Sequence, residues 1–147
     1  MTSPAMASYG APPRPDVTEA AARLAELNAF PGASKSELKK IALAGHTVTI
    51  REGWSLMWEK TPADKAYFVL HGKLSVRHGH DEFAQLGEGD LVGEMAIVHH
   101  QLRNATVVAA TDLEVLHFTT EAVEALRSTV PAFAEAVERT AVSRLVG

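Results

Sequence analysis

The sequence contains no cysteine, which excludes disulfide frameworks, thiolate metal centres and cysteine nucleophiles. That absence fits a reducing compartment, and a cytoplasmic protein is expected. No apolar run approaches the ~18 residues that a bilayer crossing needs. The first residues also lack a basic start followed by an apolar stretch of ~7–15 residues, so no secretory signal is expected. Charge of one sign is scarce too. The formal net charge of −4 gives no global attraction to polyanions, and Lys39, Lys40 and Arg77 are too few for a nucleic-acid footprint. Neither nucleic acid nor membrane is an expected partner.

What is present suits one globular domain. The 147 residues are 46% hydrophobic, enough to bury a core. The opening MTSPAMASYGAPPRP is rich in Pro, Ala, Ser and Gly and has little to pack, so residues 1–16 read as a disordered tail or linker and 17–147 as the domain. From Val17 to Asn28, Ala20, Ala21, Leu24 and Leu27 give a stripe at helical spacing, closed by Pro31-Gly32. Ser34 followed by Glu37 is a capping-box pattern, predicting a second helix that runs to about Ala44 and stops at Gly45.

The texture then changes to short runs rich in Val, Ile, Leu, Phe and Tyr: Thr47–Ile50, Ser55–Trp58, Ala66–Leu70, Leu74–Arg77, Phe83–Leu86, Ala105–Ala109 and Leu113–Phe118. Turn signals at Glu52-Gly53, Pro62-Ala-Asp64, His71-Gly72, His78-Gly79-His80-Asp81, Gly87-Glu-Gly-Asp90 and Thr111-Asp112 separate them. Many short strands at regular spacing predict a sandwich or barrel. Helical spacing returns at Glu121–Ser128 and again from Pro131, where Phe133, Val137, Ala141 and Leu145 recur every four residues. The order is helices, a β region, then helices.

One interruption of the β region stands out. Gly93-Glu-Met-Ala-Ile-Val98 favours a helical turn, and so short a helix is costly to nucleate alone. Its N-terminus presents unpaired N–H groups and a partial positive charge, a natural anion site. Arg103 follows after a loop that can fold back, and its guanidinium can grip a phosphate with two parallel hydrogen bonds. Glu94, an acceptor-only carboxylate, suits sugar hydroxyls.

Val92-Gly-Glu-Met-Ala-Ile-Val-His-His-Gln-Leu-Arg-Asn-Ala-Thr-Val107 resembles the phosphate-binding cassette of cyclic-nucleotide-binding domains, the sensor family of catabolite activator proteins and protein kinase A regulatory subunits. Gly93, Glu94, Ala96, Arg103, Ala105, Thr106 and Val107 match its motif. Arg51-Glu-Gly53, Tyr67-Phe-Val-Leu-x-Gly72, Leu86-Gly-Glu-Gly-Asp90 and the segment from Pro131 extend the likeness over about Leu24 to Leu145. The resemblance implies an eight-stranded, jelly-roll-like β barrel with N-terminal helices, a short cassette helix and C-terminal helices. It implies a ligand, cyclic AMP or cyclic GMP, at Gly93, Glu94, Met95, Ala96, Arg103, Asn104 and Ala105. Arg103 would take the cyclic phosphate, Glu94 the ribose 2′-hydroxyl, and the amides near Gly93 to Ala96 would complete the cradle.

Departures from the motif leave alternatives open. Leu102 replaces the usual proline. Asn104 stands where Ser, Thr or Ala is common, so the preference between adenine and guanine is unassigned. The chain ends at Gly147 with no DNA-binding module, so the output is expected to pass to a protein partner or to a missing region. The final helix is expected to cap the ligand, pair two protomers or simply pack. No cofactor, metal or catalytic group is expected.

A nucleotide-free interaction module on the same fold is the second reading. A cupin-type metal site at His78 and His80 is the third, although Ala84 and Gln85 stand where its glutamate should be. Instead, His78-Gly79-His80-Asp81 reads as a solvated hairpin turn. Trp54 and Trp58, four apart, read as sharing a face in core packing or at a barrel rim.

Overall fold

The computed structural model describes residues 15–94, 97 and 102–146. Nearly all of the expected tail lies outside the described residues, as do Met95, Ala96, residues 98–101 and Gly147.

Helix α1 spans Pro15–Leu27, with proline at its first position, where a missing N–H costs nothing. Val17, Ala20, Ala21 and Leu24 form its buried face. Helix α2 spans Lys35–Ala44. Its capping box is formed: Ser34 Oγ accepts from the Glu37 N–H at 3.1 Å, and Glu37 Oε1 accepts from the Ser34 N–H at 3.0 Å. Gly45 ends the helix as expected, but in an extended conformation with φ −104° rather than a left-handed cap. Its glycine requirement is one of space, since a Cβ there would stand 2.9 Å from the Phe118 ring.

Eight strands follow among the described residues: β1 His46–Ile50, β2 Ser55–Met57, β3 Lys65–His71, β4 Leu74–His78, β5 Asp81–Leu86, β6 Leu91–Val92, β7 Thr106–Ala109 and β8 Leu113–Thr119. They form two antiparallel four-stranded sheets, ordered β1-β8-β3-β6 and β2-β7-β4-β5. The fold is mainly β and jelly-roll-like. Helix α3, Thr120–Thr129, is capped by Thr119, and α4, Pro131–Val146, completes the chain.

Two cores share one sheet. Between the sheets, Leu56, Met57, Tyr67, Val69, Leu74, Val115 and their neighbours fill the interior. On the outer side of β1-β8-β3-β6, Phe68, Leu70, Leu116 and Phe118 pack against Leu24, Ile41 and Phe133 of the helices. β3 is therefore buried on both faces, which explains its unbroken apolar run. Phe133 of α4 stacks on Phe30 with ring centroids 5.7 Å apart. Phe133 and Val137 are buried as the helical spacing predicts, while the side chains of Ala141 and Leu145 lie outside the description.

Three details differ from the sequence reading. β6, only two residues long, was hidden in the turn before the cassette; it pairs with Tyr67 and Phe68 of β3. β5 starts at Asp81, so the hairpin turn is tight and centred on Gly79. Trp54 and Trp58 are 68% and 61% exposed, which rules out core packing. The register irregularity between Ser55 and Met57 breaks the strict alternation on which the shared face was argued.

Candidate functional site

The cassette leaves one sheet and enters the other. It departs from β6, whose Val92 is paired with Tyr67, and rejoins at β7, where Thr106 is paired with Arg77 of β4. Glu94 and Ile97 are helical, as the composition predicted. Met95 and Ala96, also predicted to contact ligand, lie outside the described residues.

Arg103 closes this crossing. It is 4% exposed, and its Nη1 donates to the Gly93 carbonyl at 2.6 Å. Its Nη2 donates to the Lys65 carbonyl. The guanidinium thus joins the exit of β6 to the start of β3. Gly93 makes this approach possible in two ways. Its φ is +87°, a conformation that favours glycine, and an added Cβ would stand 2.6 Å from Arg103 Nη1 and 2.8 Å from Met57 Cε.

The arginine's main chain is held as firmly. Its N–H donates to the Thr61 carbonyl at 2.8 Å, and its carbonyl accepts from the Lys60 N–H at 2.7 Å. Pro62 bridges Leu102 beside them. Thus residues 58–64, where the sequence reading had the end of a strand at Trp58 and a turn at Pro62-Ala-Asp64, hold the main chain at Leu102 and Arg103. No sequence signal reveals this, because the bonds are to main-chain groups that every residue carries.

Electrostatics centre on the same residue. Burial pulls the Arg103 guanidinium below the ordinary arginine range, while the nearby Asp64, Tyr67 and Glu94 oppose that pull. Burial likewise raises Tyr67, against the field of Arg103, and its hydroxyl lies 3.5 Å from the Leu56 carbonyl. Glu94 is completely buried, 0% exposed. A buried cation and a buried carboxylate lie close enough to interact, a pair of groups whose chemistry suits a small anion bearing hydroxyl groups.

The remaining predicted residues divide. Ala105 is buried and belongs to the inter-sheet core, two residues on from Arg103. Asn104 is exposed, so it is not gathered into the buried cluster. Leu102, standing where proline was expected, is 58% exposed. His78 is occupied elsewhere, stacked on Phe83 at 4.2 Å, and no group of three candidate ligands for a metal ion occurs among the described residues.

Comparison with known proteins identifies the family. A family model described as the cyclic nucleotide-binding domain matches residues 47–130, more than half of the chain and all of the candidate site. A cyclic nucleotide-gated potassium channel of Rhizobium etli is 34% identical over 84 residues, covering 57% of this chain and 23% of that protein. A cAMP-dependent protein kinase regulatory subunit of Schizosaccharomyces pombe is 31% identical over 96 residues, covering 65% of this chain and 23% of the relative. The chain thus spans about a quarter of the length of these relatives.

Among solved structures, the catabolite activator protein of Thermus thermophilus superposes with a TM-score of 0.71 at 25% identity, over 80% of this chain and 57% of that one. The regulatory domain of Toxoplasma gondii protein kinase A, crystallised with cAMP, gives 0.73 at 19% identity, over 87% and 50%, and attests the fold. So does a regulatory subunit of a cAMP-independent protein kinase A from Trypanosoma brucei, at 0.70 and 16%, over 86% and 47%. With the family's profile lying across both sheets and a glycine, a buried glutamate and a buried arginine meeting where its cassette should be, this chain belongs to the cyclic nucleotide-binding domain family.

Proposed function

We propose that the domain reversibly binds a 3′,5′-cyclic nucleotide, cyclic AMP or cyclic GMP, as a regulatory sensor and catalyses no reaction. The buried guanidinium of Arg103, pinned between the Gly93 and Lys65 carbonyls, carries the reading. Burial withholds solvation from this cation, and an arriving phosphate supplies compensating charge. Arg103 holds the cyclic phosphate, Glu94 the ribose 2′-hydroxyl, and the amides from Gly93 to Ala96 the remaining oxygens. Asn104 and Ala105 complete the proposed set of contacts, which assigns no preference between adenine and guanine. The kinase regulatory subunits and the gated channel among the relatives favour this ligand class.

Binding acts by differential affinity for two arrangements of the cassette. A protein partner, or a region beyond this chain, receives the signal. No described helix is long and apolar enough to cross a membrane, and a cytoplasmic site of action fits this reading.

Thermal melts of the full chain test the proposal. Ligand at ~100 times its dissociation constant adds about 2.7 kcal/mol, enough to raise the midpoint by several degrees. Arg103→Ala is expected to abolish the rise. A rise that survives this substitution unchanged moves the site elsewhere. No rise with either nucleotide at millimolar concentration defeats the sensor reading and favours a nucleotide-free interaction module. One observation speaks for that second reading: a domain of the same fold belongs to a regulatory subunit of a kinase described as cAMP-independent.

A further inference from the structure

Residues 58–64 hold the exit of the cassette through main-chain bonds, and one side chain among them reaches further. The Glu59 N–H donates to Thr106 Oγ1 at 3.1 Å, on the strand that continues from Arg103. Its carboxylate turns the other way, to the β4–β5 hairpin. There Oε1 accepts from the Gly79 N–H at 2.7 Å, and Oε2 lies 3.8 Å from His78 Nδ1.

The 2.7 Å bond is a charge-assisted one to main chain, the strong kind. The Glu59 side chain is 28% exposed. The next residue, Lys60, adopts φ +67°, a left-handed conformation that a lysine keeps only where its surroundings impose it. From there its N–H reaches the Arg103 carbonyl at 2.7 Å. A continuous path of bonds therefore runs from Gly79 through Glu59 and Lys60 to Arg103. The hairpin end is itself braced, because the His78 ring stacks on Phe83 with an interplanar angle of 12°.

We propose that Glu59 is a positioning residue that couples the β4–β5 hairpin to Arg103, so that the hairpin's conformation sets how firmly the site grips an anion. Its bearing on affinity rests on reading Arg103 as the phosphate ligand, whereas the coupling itself does not need a ligand to be seen.

Two measurements on the full chain separate these parts. In amide hydrogen exchange without ligand, Glu59→Ala is expected to speed exchange at Gly79, Lys60 and Arg103 together, and Glu59→Gln, which keeps an acceptor, to stay near wild type. Faster exchange at Gly79 alone overturns the coupling. In calorimetric titrations with cyclic AMP and cyclic GMP, Glu59→Ala is expected to weaken binding about tenfold, an ordinary size for coupled neighbours. Glu59→Gln should recover most of that loss, and Glu82→Gln on the same hairpin should change nothing. Affinity unchanged in Glu59→Ala overturns its bearing on the site. Should Glu59→Ala fail to fold, Glu59→Asp, too short to reach Gly79, takes its place with the same expectations. If the wild-type chain binds neither nucleotide, the sensor reading falls, and the exchange pattern alone decides the coupling.

Discussion

Gly93 shows how much one missing side chain permits. Its left-handed backbone and the contact of an added Cβ with Arg103 and Met57 are separate demands, and the structure offers a way to part them. Gly53 has a similar φ, +89°, with nothing within 4 Å of an added Cβ. Alanine at Gly53 should therefore cost only the ~1–2 kcal/mol of an L-residue in that conformation. At Gly93 the same substitution carries a further ~1–3 kcal/mol of overpacking, and it displaces the guanidinium. Urea unfolding of the two variants checks this, and equal losses would show that crowding at Gly93 plays no part. Sequence made Gly93, Glu94 and Arg103 visible as residue types in a pattern. It did not show that the arginine's partners are the carbonyls of Gly93 and Lys65, since a carbonyl leaves no mark in the letters.

Elements were legible where their periodicity had length to express itself. β3 stood out as an apolar run because both of its faces are buried, and α2 stood out through a capping box that the structure contains. β6 was not legible, because two residues carry no period. The connection at residues 58–64 reads as a turn, yet it is the element most tightly bonded to Arg103. Trp58, 61% exposed, sits at its start, and its carbonyl accepts from Thr61 Oγ1. A ligand that draws on Arg103 should move this connection and alter the emission of Trp58. Cyclic nucleotide should therefore change the fluorescence of the wild type and of Trp54→Phe, but not of Trp58→Phe. A signal that follows Trp54 instead would place the responding segment at the turn before β2.

At the scale of the whole molecule, stability should carry a signature of His117. This residue lies on β8 opposite His46 of β1 and Tyr67 of β3, its ring edge-on to Tyr67 at 5.5 Å. Burial lowers its pKa below the ordinary histidine value, with Lys65 and His46 adding to the effect and Asp64 opposing it. An unfolded chain then takes up this proton at a higher pH than the folded one. The contribution is complete above about pH 6.5 and is lost as pH falls toward the depressed value. Urea midpoints measured from pH 7.5 down to pH 5.5 should decline less steeply in His117→Gln than in the wild type. Identical slopes would assign the decline to other groups.

The sheet shared by the two cores has a mechanical consequence. Along β3, Tyr67 and Val69 face the interior that holds Arg103, while Phe68 and Leu70 face the helices. The partition between the inter-sheet core and the helical layer is one backbone thick, with close-packed side chains on both sides. Such a partition behaves as a diaphragm: pressure on one surface becomes displacement of the other, one peptide bond away. If the proposed ligand displaces Tyr67 or Val69, that displacement can therefore reach Phe133 and α4 directly through the wall, with no relay of specialised residues to carry it.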